Sequence, residues 1–273
     1  RAKHGQSEVY LKDQIALVTG GSKGIGASIV RQLAKEGAKV IFCARPSPAM
    51  TALETEIRAT GGDCLALPVD VFDVDEIKKL VDAAAAHWGG LDILINNVGG
   101  AIKFGGFDEL TDEDWMRSYE FNVMSMVRFT RAVLPYLRKS ELKRIINISS
   151  TSAAQPGSYN PHYTVTKAAV INLSKHLANV LEKDKILVNT VCPGPVHSDS
   201  WEENILRIAS ARGISKIEAR VLVENEESAK IPLGVVGEGD QIASVVALLA
   251  SPLSDWTTGS CFHVNGGKMS NAF

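Results

Sequence analysis

Residues 14–19, Gln-Ile-Ala-Leu-Val-Thr, form a short apolar run that stops at Gly20-Gly21-Ser22-Lys23-Gly24-Ile25-Gly26. Ile25, Ile29 and Leu33 then recur every four residues up to Gly37, the spacing of one buried helix face with a glycine stop. A second apolar run, Lys-Val-Ile-Phe-Cys-Ala, occupies residues 39–44. Strand, glycine turn, helix, strand is a βαβ unit, and a chain that opens with one is committed to a parallel sheet. In such a sheet the first turn faces a crevice where the helix N-terminus receives a pyrophosphate. Gly20 permits the turn, Gly24 lets the backbone approach a phosphate, and Gly26 lets helix pack closely on strand. Ser22, Lys23 and Ile25 lie in the same turn and count as candidate contacts.

The pattern then repeats. A helix near 50–60 leads to a strand at 64–69, and a helix opened by Asp73, with Glu76 in capping-box position, leads to a strand at 93–95. Thr111-Asp-Glu-Asp starts a helix that runs through Trp115, Tyr119 and Val123 towards Leu137. A strand at 144–148 precedes a helix that Asn160 can cap and Pro161 can open. A strand at 186–191, a helix at 241–249 and a strand at 261–264 close the chain. Seven strands alternating with helices predict an α/β fold, a doubly wound parallel sheet covered on both faces. No linker, repeat or low-complexity stretch divides it, so residues 12–267 read as one domain between an arm at 1–11 and a tail at 268–273. Residues 195–239 contain no strand pattern but two helical ones, 200–212 and 215–229, with Trp201, Ile205 and Ile208 on one face of the first. A long insertion after a strand is expected to act as a substrate lid; an ordinary packing hairpin is the alternative.

The charge balance of 29 basic against 31 acidic residues, net -2 and without long runs, argues against a nucleic-acid or anionic-membrane partner. No apolar run reaches the ~20 residues of a membrane span, and the first residues lack the apolar core of a signal peptide. Cys43, Cys64, Cys192 and Cys261 stand far apart in or beside strands, which predicts buried reduced thiols and a cytoplasmic location. The six histidines show no ligand spacing with one another or with the cysteines, so no metal is expected. Arg138, Lys139, Lys143 and Arg144 cluster in sequence and read more readily as a solvated face than as a dock for an acidic carrier protein.

The second strand ends in Cys43-Ala44-Arg45-Pro46, and no acidic residue lies between Glu36 and Glu54. An NAD site wants a carboxylate there for the ribose 2′-hydroxyl. Arg45 at the strand end and Lys23 in the glycine turn suit the 2′-phosphate of NADP instead. Further on, Tyr163-Thr-Val-Thr-Lys167 places a phenol and an ammonium four residues apart, on one helix face. A cation held that close lowers a phenol from about 10 by about 1–3 units, towards a useful general acid or base.

With these pieces together the chain resembles the short-chain dehydrogenase/reductase family, of the NADP-dependent 3-oxoacyl reductase type, over nearly all of residues 12–267. The family's T-G-x-x-x-G-x-G turn is Thr19 to Gly26, and its N-N-A-G motif appears as Asn96-Asn97-Val98-Gly99, with valine in place of alanine. Asp70-Val71 matches the pair placed beside the adenine ring. Pro193-Gly194 ends the sixth strand as in the family, and Val196 and Ser198 fall where the nicotinamide carboxamide and phosphate are held. Asn265 and Val235 stand where aspartate and arginine are commoner. The resemblance implies a Rossmann-type fold and a catalytic tetrad of Asn122, Ser150, Tyr163 and Lys167, with Ser149 and Ser152 as neighbouring alternatives to Ser150.

It also implies a mechanism. Ser150 donates to a substrate carbonyl, Tyr163 protonates its oxygen as hydride arrives, and Lys167 binds the nicotinamide ribose and keeps the phenol acidic. Asn122 holds a water that links Lys167 to solvent. The expected activity is NADP(H)-dependent interconversion of a small-molecule ketone and its secondary alcohol. A non-catalytic NADP-binding regulator on the same fold is the alternative. Trp201, Ile205 and Ile208, with Met124, Gln155 and Tyr159, would make a largely apolar pocket. Family practice implies a homotetramer, or a homodimer, built on the fourth and fifth helices and the last strand.

Overall fold

Alternation within the strands sets the layers of the molecule. In the computed structural model, which describes residues 10–270, Ala16 and Val18 of strand β1 (Ile15–Thr19) join one apolar core while Ile15 and Leu17 join another. Strand β2 (Lys39–Ala44) divides likewise, Val40 and Phe42 to one face, Ile41 and Cys43 to the other. Side chains with period two can be apolar at every position only if both faces are covered. Helices α1 (Gly24–Lys35) and α9 (Gly239–Ala250) cover the first face with Ile29, Leu33 and Val246. Helices α3 (Val74–Trp88) and α5 (Ser125–Leu137) cover the second with Leu80, Val81, Phe129 and Val133.

Strands β3 (Cys64–Pro68), β4 (Ile93–Asn96), β5 (Arg144–Ile148), β6 (Leu187–Pro193) and β9 (Cys261–Val264) complete a seven-stranded sheet in the order β3-β2-β1-β4-β5-β6-β9. All its pairings are parallel. The order reverses direction between β1 and β4, so the crevice expected from the glycine turn opens there. The seven expected strands and the doubly wound topology are therefore present.

Several expectations are corrected. Residues 195–239 contain two short strands, β7 (Val196–His197) and β8 (Gly237–Glu238), which pair in parallel and anchor both ends of the insertion. Its helices are α7 (Asp199–Arg212) and α8 (Lys216–Ser228), close to the two predicted segments. Helix α2 (Pro48–Ala59) starts at a Ser47 cap, two residues before the predicted segment. Leu11, assigned to the arm, is fully buried, and its N–H donates to Glu36 O at 3.1 Å. Residues 1–9 of that arm and 271–273 of the tail lie outside the described residues. Asp73 caps α3 as expected, but the Glu76 carboxylate accepts from the N–H of Asp70 at 2.8 Å rather than closing a box on Asp73. No helix among the described residues is long and apolar enough to cross a membrane.

The long helix expected from Thr111 is broken into α4 (Asp112–Tyr119), a π turn (Glu120–Met124) and α5. The Ser125 N–H reaches back five residues to Glu120 O, which widens the helix by one residue. Asn122, inside that turn, is thereby swung into the interior.

The expected basic cluster comes apart. Arg138 pairs with Asp184 at 2.8 Å, while Arg144 is buried, ion-paired to Asp255 and bonded to the Leu142 carbonyl. Burial pulls the Arg144 guanidinium down, against the pull of Asp255. Asp255→Ala should leave that guanidinium short of a partner and lower the unfolding free energy by about 1–3 kcal/mol. Adding Arg144→Met should restore part of the loss. Equal denaturation midpoints for wild type and Asp255→Ala would refute this account of the pair.

Candidate active site

The crevice is stitched together by one threonine and one asparagine. Thr19 Oγ1 accepts from the N–H groups of Asn97 and Val98 at 3.0 and 3.1 Å, and Asn97 Nδ2 donates to the carbonyls of Thr19 and Gly20 at 3.1 and 3.0 Å. This joins the end of β1 to the end of β4. A Cβ at Gly26 would lie 2.1 Å from the Gly20 carbonyl oxygen and 2.6 Å from Asn97 Nδ2, so only glycine permits this approach. Lys23 caps α1 without a side-chain hydrogen bond, and the first turn carries no acid. Its N–H groups are thus left to an anion.

Gly24, at φ +55, faces Ser198 and Asp199 across a gap of 3.6–3.8 Å from where a Cβ would stand. Ser198 caps α7, its hydroxyl accepting from Trp201 N at 3.3 Å. Val196 is buried against the sheet in β7. Lys23 is ion-paired with Glu203 of α7 at 3.7 Å, which turns it from the sugar site towards the insertion. Arg45 has no ion-pair partner among the described residues and lines an open cleft of about 780 Å³ with Asp70, Lys79 and Arg117. Asp70 Oδ1 accepts from Phe72 N at 3.0 Å, and the Val71 carbonyl from Arg128 at 3.5 Å, which fixes that loop. Ser22 and Ile25 remain half-buried in the glycine turn.

The four residues expected to form the tetrad gather at the ends of β4, β5 and the start of helix α6 (Pro161–Val180). Lys167, only 3% exposed, donates from Nζ to the Ile148 carbonyl at 3.0 Å. A Cβ on Gly99 would stand 2.6 Å from that Nζ and 2.7 Å from Asn122 Oδ1, so the space for both is the space this glycine leaves. The Asn122 carboxamide is committed: Oδ1 accepts from Gly100 N at 2.8 Å, and Nδ2 donates to the carbonyls of Gly100 and Ser118 at 3.1 and 3.0 Å. Ser150 lines the same pocket as the Tyr163 phenol and exchanges a hydrogen bond with Ser152 Oγ at 2.9 Å. Ser149 points elsewhere, donating to the Lys167 carbonyl at 2.7 Å.

The electrostatics reverse one expectation. Burial pushes the Tyr163 phenol up from its ordinary value of 10, the Ser150 hydroxyl pulling it partly back. Burial also brings the Lys167 ammonium down to about 8. Lys167 Nζ stands 5.8 Å from the Tyr163 ring centroid, over the ring face and bonded to a carbonyl, and burial leads the shift of the phenol. The phenol is thus protonated at neutral pH.

A small open pocket above the tetrad is lined by Ser150, Ser152, Tyr159, Tyr163, Pro193 and Gly194, among others. Gly194 is pressed onto β9, where a Cβ would meet Asn265 Cα at 2.7 Å, and Asn265 Oδ1 accepts from Gly267 N. Of the expected pocket residues only Ser150, Tyr159 and Tyr163 are in this lining. Trp201 and Ile205 instead pack with Ala219, Val223, Ile231 and Val236 into a core of the insertion's own, with Ile208 against it. Their apolar face meets α8, which also presents apolar side chains. Gln155 accepts from Ser270 N at 2.9 Å, and Met124 ends the π turn. Asn160 lies at φ 54 and makes no side-chain cap; its Oδ1 accepts from Gly105 N at 3.0 Å.

One α7 residue that meets a pocket-lining side chain was not foreseen. Arg207 lies 5.6 Å from the Tyr159 ring and 5.4 Å from the Phe104 ring, a cation between two aromatic faces. Beneath the site, Asn96 Nδ2 donates to Asn147 Oδ1 at 2.8 Å and Asn147 Nδ2 to Ser174 Oγ at 2.9 Å, a buried polar chain across β4, β5 and α6. Polar residues inside otherwise apolar strands were the available signal for it.

A family profile described as short chain dehydrogenase matches residues 14–207. An uncharacterized oxidoreductase from Methylorubrum extorquens is 38% identical over 260 residues, 94% of this chain and 98% of that protein. The 3-oxoacyl-[acyl-carrier-protein] reductase FabG of Vibrio cholerae is 32% identical, over 94% of this chain and 98% of its own. The crystal structure of L-sorbose reductase from Gluconobacter frateurii, complexed with NADPH and L-sorbose, superposes with a TM-score of 0.91 at 29% identity, covering 97% of this chain and 100% of that one. The chain belongs to the short-chain dehydrogenase family.

The buried Lys167 predicts a pH dependence of stability. With its folded value near 8 and an ordinary value of 10.5, the unfolded chain binds more protons between those limits. The cost of the buried ammonium is therefore full below pH 8 and is relieved as pH rises through that window. Relative to Lys167→Met, wild type should gain about 1 kcal/mol of unfolding free energy per pH unit from pH 8 to 9.5. Urea titrations that run parallel for the two proteins would contradict it.

Proposed function

We propose that the protein is an NADP(H)-dependent oxidoreductase that reduces a small-molecule ketone to a secondary alcohol, with Tyr163 as general acid. The observation that carries this reading is the convergence of Ser150 and Tyr163 in one pocket lining, with Lys167 buried one helical turn on. The FabG relative and the NADPH-bound L-sorbose reductase, matched over nearly their whole lengths, support both the reaction class and the cofactor.

The residues present fit the dinucleotide. Gly26 and Gly24 leave a hollow against a helix N-terminus without side-chain caps, and Arg45 stands at the end of β2 where a 2′-phosphate needs a cation. Gly20, Ser22, Ile25 and Asn97 shape the glycine turn, Asp70 and Val71 the adenosine side, and Gly99 the space beside Lys167. Pro193, Gly194, Val196 and Ser198 shape its nicotinamide end. When bound, NADPH supplies the hydride.

In this reading the chain's own groups manage the proton. Ser150 donates to the substrate carbonyl, and Tyr163 hands its proton to the same oxygen. Because burial keeps the phenol neutral at pH 7, Tyr163 is already in the state that reduction requires. Lys167, titrating near 8, can return a proton to Tyr163 at modest cost and is placed to bind ribose hydroxyls. Asn122 acts through its neighbours, holding Gly100 so that Gly99 leaves room for Lys167. A regulator that only bound NADP would have no use for Ser150 and Tyr163 in one pocket lining. The reading also carries a homotetramer or homodimer that covers the exposed Leu253 and Trp256 just before β9.

NADPH consumption against a panel of aliphatic, alicyclic, aromatic and 3-oxoacyl ketones tests this directly. Wild type should turn over at least one ketone, and Tyr163→Phe should lose at least about a hundredfold in kcat while binding NADPH as before. Arg45→Ala should weaken NADPH more than Lys23→Ala does and leave NADH nearly unchanged, because Lys23 already pairs with Glu203. Full activity in Tyr163→Phe would remove the phenol from the mechanism.

A further inference from the structure

The spacing of cysteines and histidines in the sequence gives no ligand set, yet the sheet assembles one. Strands β6 and β9 pair in parallel with Thr190 opposite Cys261 and Cys192 opposite His263. Cys261 and His263 are two residues apart on a strand and so share a face, and register puts Cys192 on that face as well. Cys192 Sγ and Cys261 Sγ are 3.2 Å apart, Cys261 Sγ and His263 Nε2 are 3.8 Å apart, and the three ligand atoms all lie within 4.8 Å of one another. The thiols are not bonded to each other.

A tetrahedral cation with bonds of about 2.3 Å to sulfur and about 2.0 Å to imidazole nitrogen sets sulfur–sulfur and sulfur–nitrogen separations near 3.8 and 3.5 Å. The observed 3.2 and 3.8 Å come within side-chain adjustment of that geometry. The site is graded in access: Cys192 is buried, Cys261 half-buried and His263 exposed. A cation would enter from the His263 side, and the fourth position would face solvent and take a water. Two thiolates and an imidazole favour a soft or borderline divalent ion over magnesium or calcium.

We propose that Cys192, Cys261 and His263 form a binding site for one thiophilic divalent cation of the zinc type. Binding releases the two thiol protons, and the two thiolates balance the charge of the ion. The site adjoins the tetrad without belonging to it. Ser149, next in sequence to Ser150, donates to the Lys167 carbonyl. Neither Cys261 nor His263 touches the pocket above Tyr163.

Titration of the fully reduced protein with Cd2+, followed by the ultraviolet thiolate-to-cadmium charge-transfer band, tests this without recourse to activity. The band should saturate at one ion per chain and be displaced by Zn2+. Cys261→Ser should abolish most of it, and His263→Ala, at an exposed position, should keep the band but weaken binding at least about tenfold, or 1.4 kcal/mol. Absence of a band in wild type would overturn the proposal. So would a band unchanged in both variants. A protein that forms a Cys192–Cys261 disulfide in air, and takes up no Cd2+ after reduction, would also overturn it and mark the pair as redox-active instead.

Discussion

A lysine ammonium held almost wholly out of water is the constraint around which the site is built. Lys167 gains one carbonyl, that of Ile148, and loses the rest of its hydration. Every neighbouring feature bears on that exchange. Gly99 lacks the side chain that would fill the space, Asn122 holds the adjoining Gly100, and the π turn is what swings Asn122 inward. Ser149 secures the helix backbone at Lys167 itself. The result is an amine whose proton is easily lost, close to a phenol whose proton is not.

That pairing explains why burial and chemistry pull the same way here. A buried tyrosine resists ionisation, which would hinder a base but suits an acid. A buried lysine resists protonation, which makes it a proton store that empties as pH rises past about 8. Under the proposed mechanism, the arrangement of the two on one helix turn would suit carbonyl reduction at pH 7, with the reverse direction gaining at higher pH. The same burial needs a rigid floor. The Asn96–Asn147–Ser174 chain supplies it by locking β4 and β5 to α6 below the reacting groups.

Much of this was legible in the residues. The glycine turn and the doubly wound topology follow from spacing and alternation, while the gathering of Asn122, Ser150, Tyr163 and Lys167 was what the family resemblance implied. Other features were not legible, for reasons that differ. Periodicity identifies an apolar face on α7 but not what that face meets, so Trp201 and Ile205 were expected in the pocket and lie in the insertion's own core. Spacing four apart brings Lys167 to Tyr163 but does not reveal the burial of the phenol, which raises it. Asn160 has the chemistry of a cap, yet a partner distant in sequence, Gly105, takes its side chain. Cys192 and Cys261 meet only because β6 and β9 pair in a register that no local pattern reveals.

The central claim is that this site moves a hydride to carbon and a proton from Tyr163 to oxygen. The most direct measurement uses NADPH carrying deuterium at the transferred position of the nicotinamide, with mass spectrometry of the alcohol formed from a substrate ketone. The account predicts one deuterium at the carbinol carbon for wild type and no labelled alcohol above background for Tyr163→Phe. Tight NADPH binding by both proteins, with no labelled alcohol from any ketone, would contradict it and leave a binding protein in place of an enzyme.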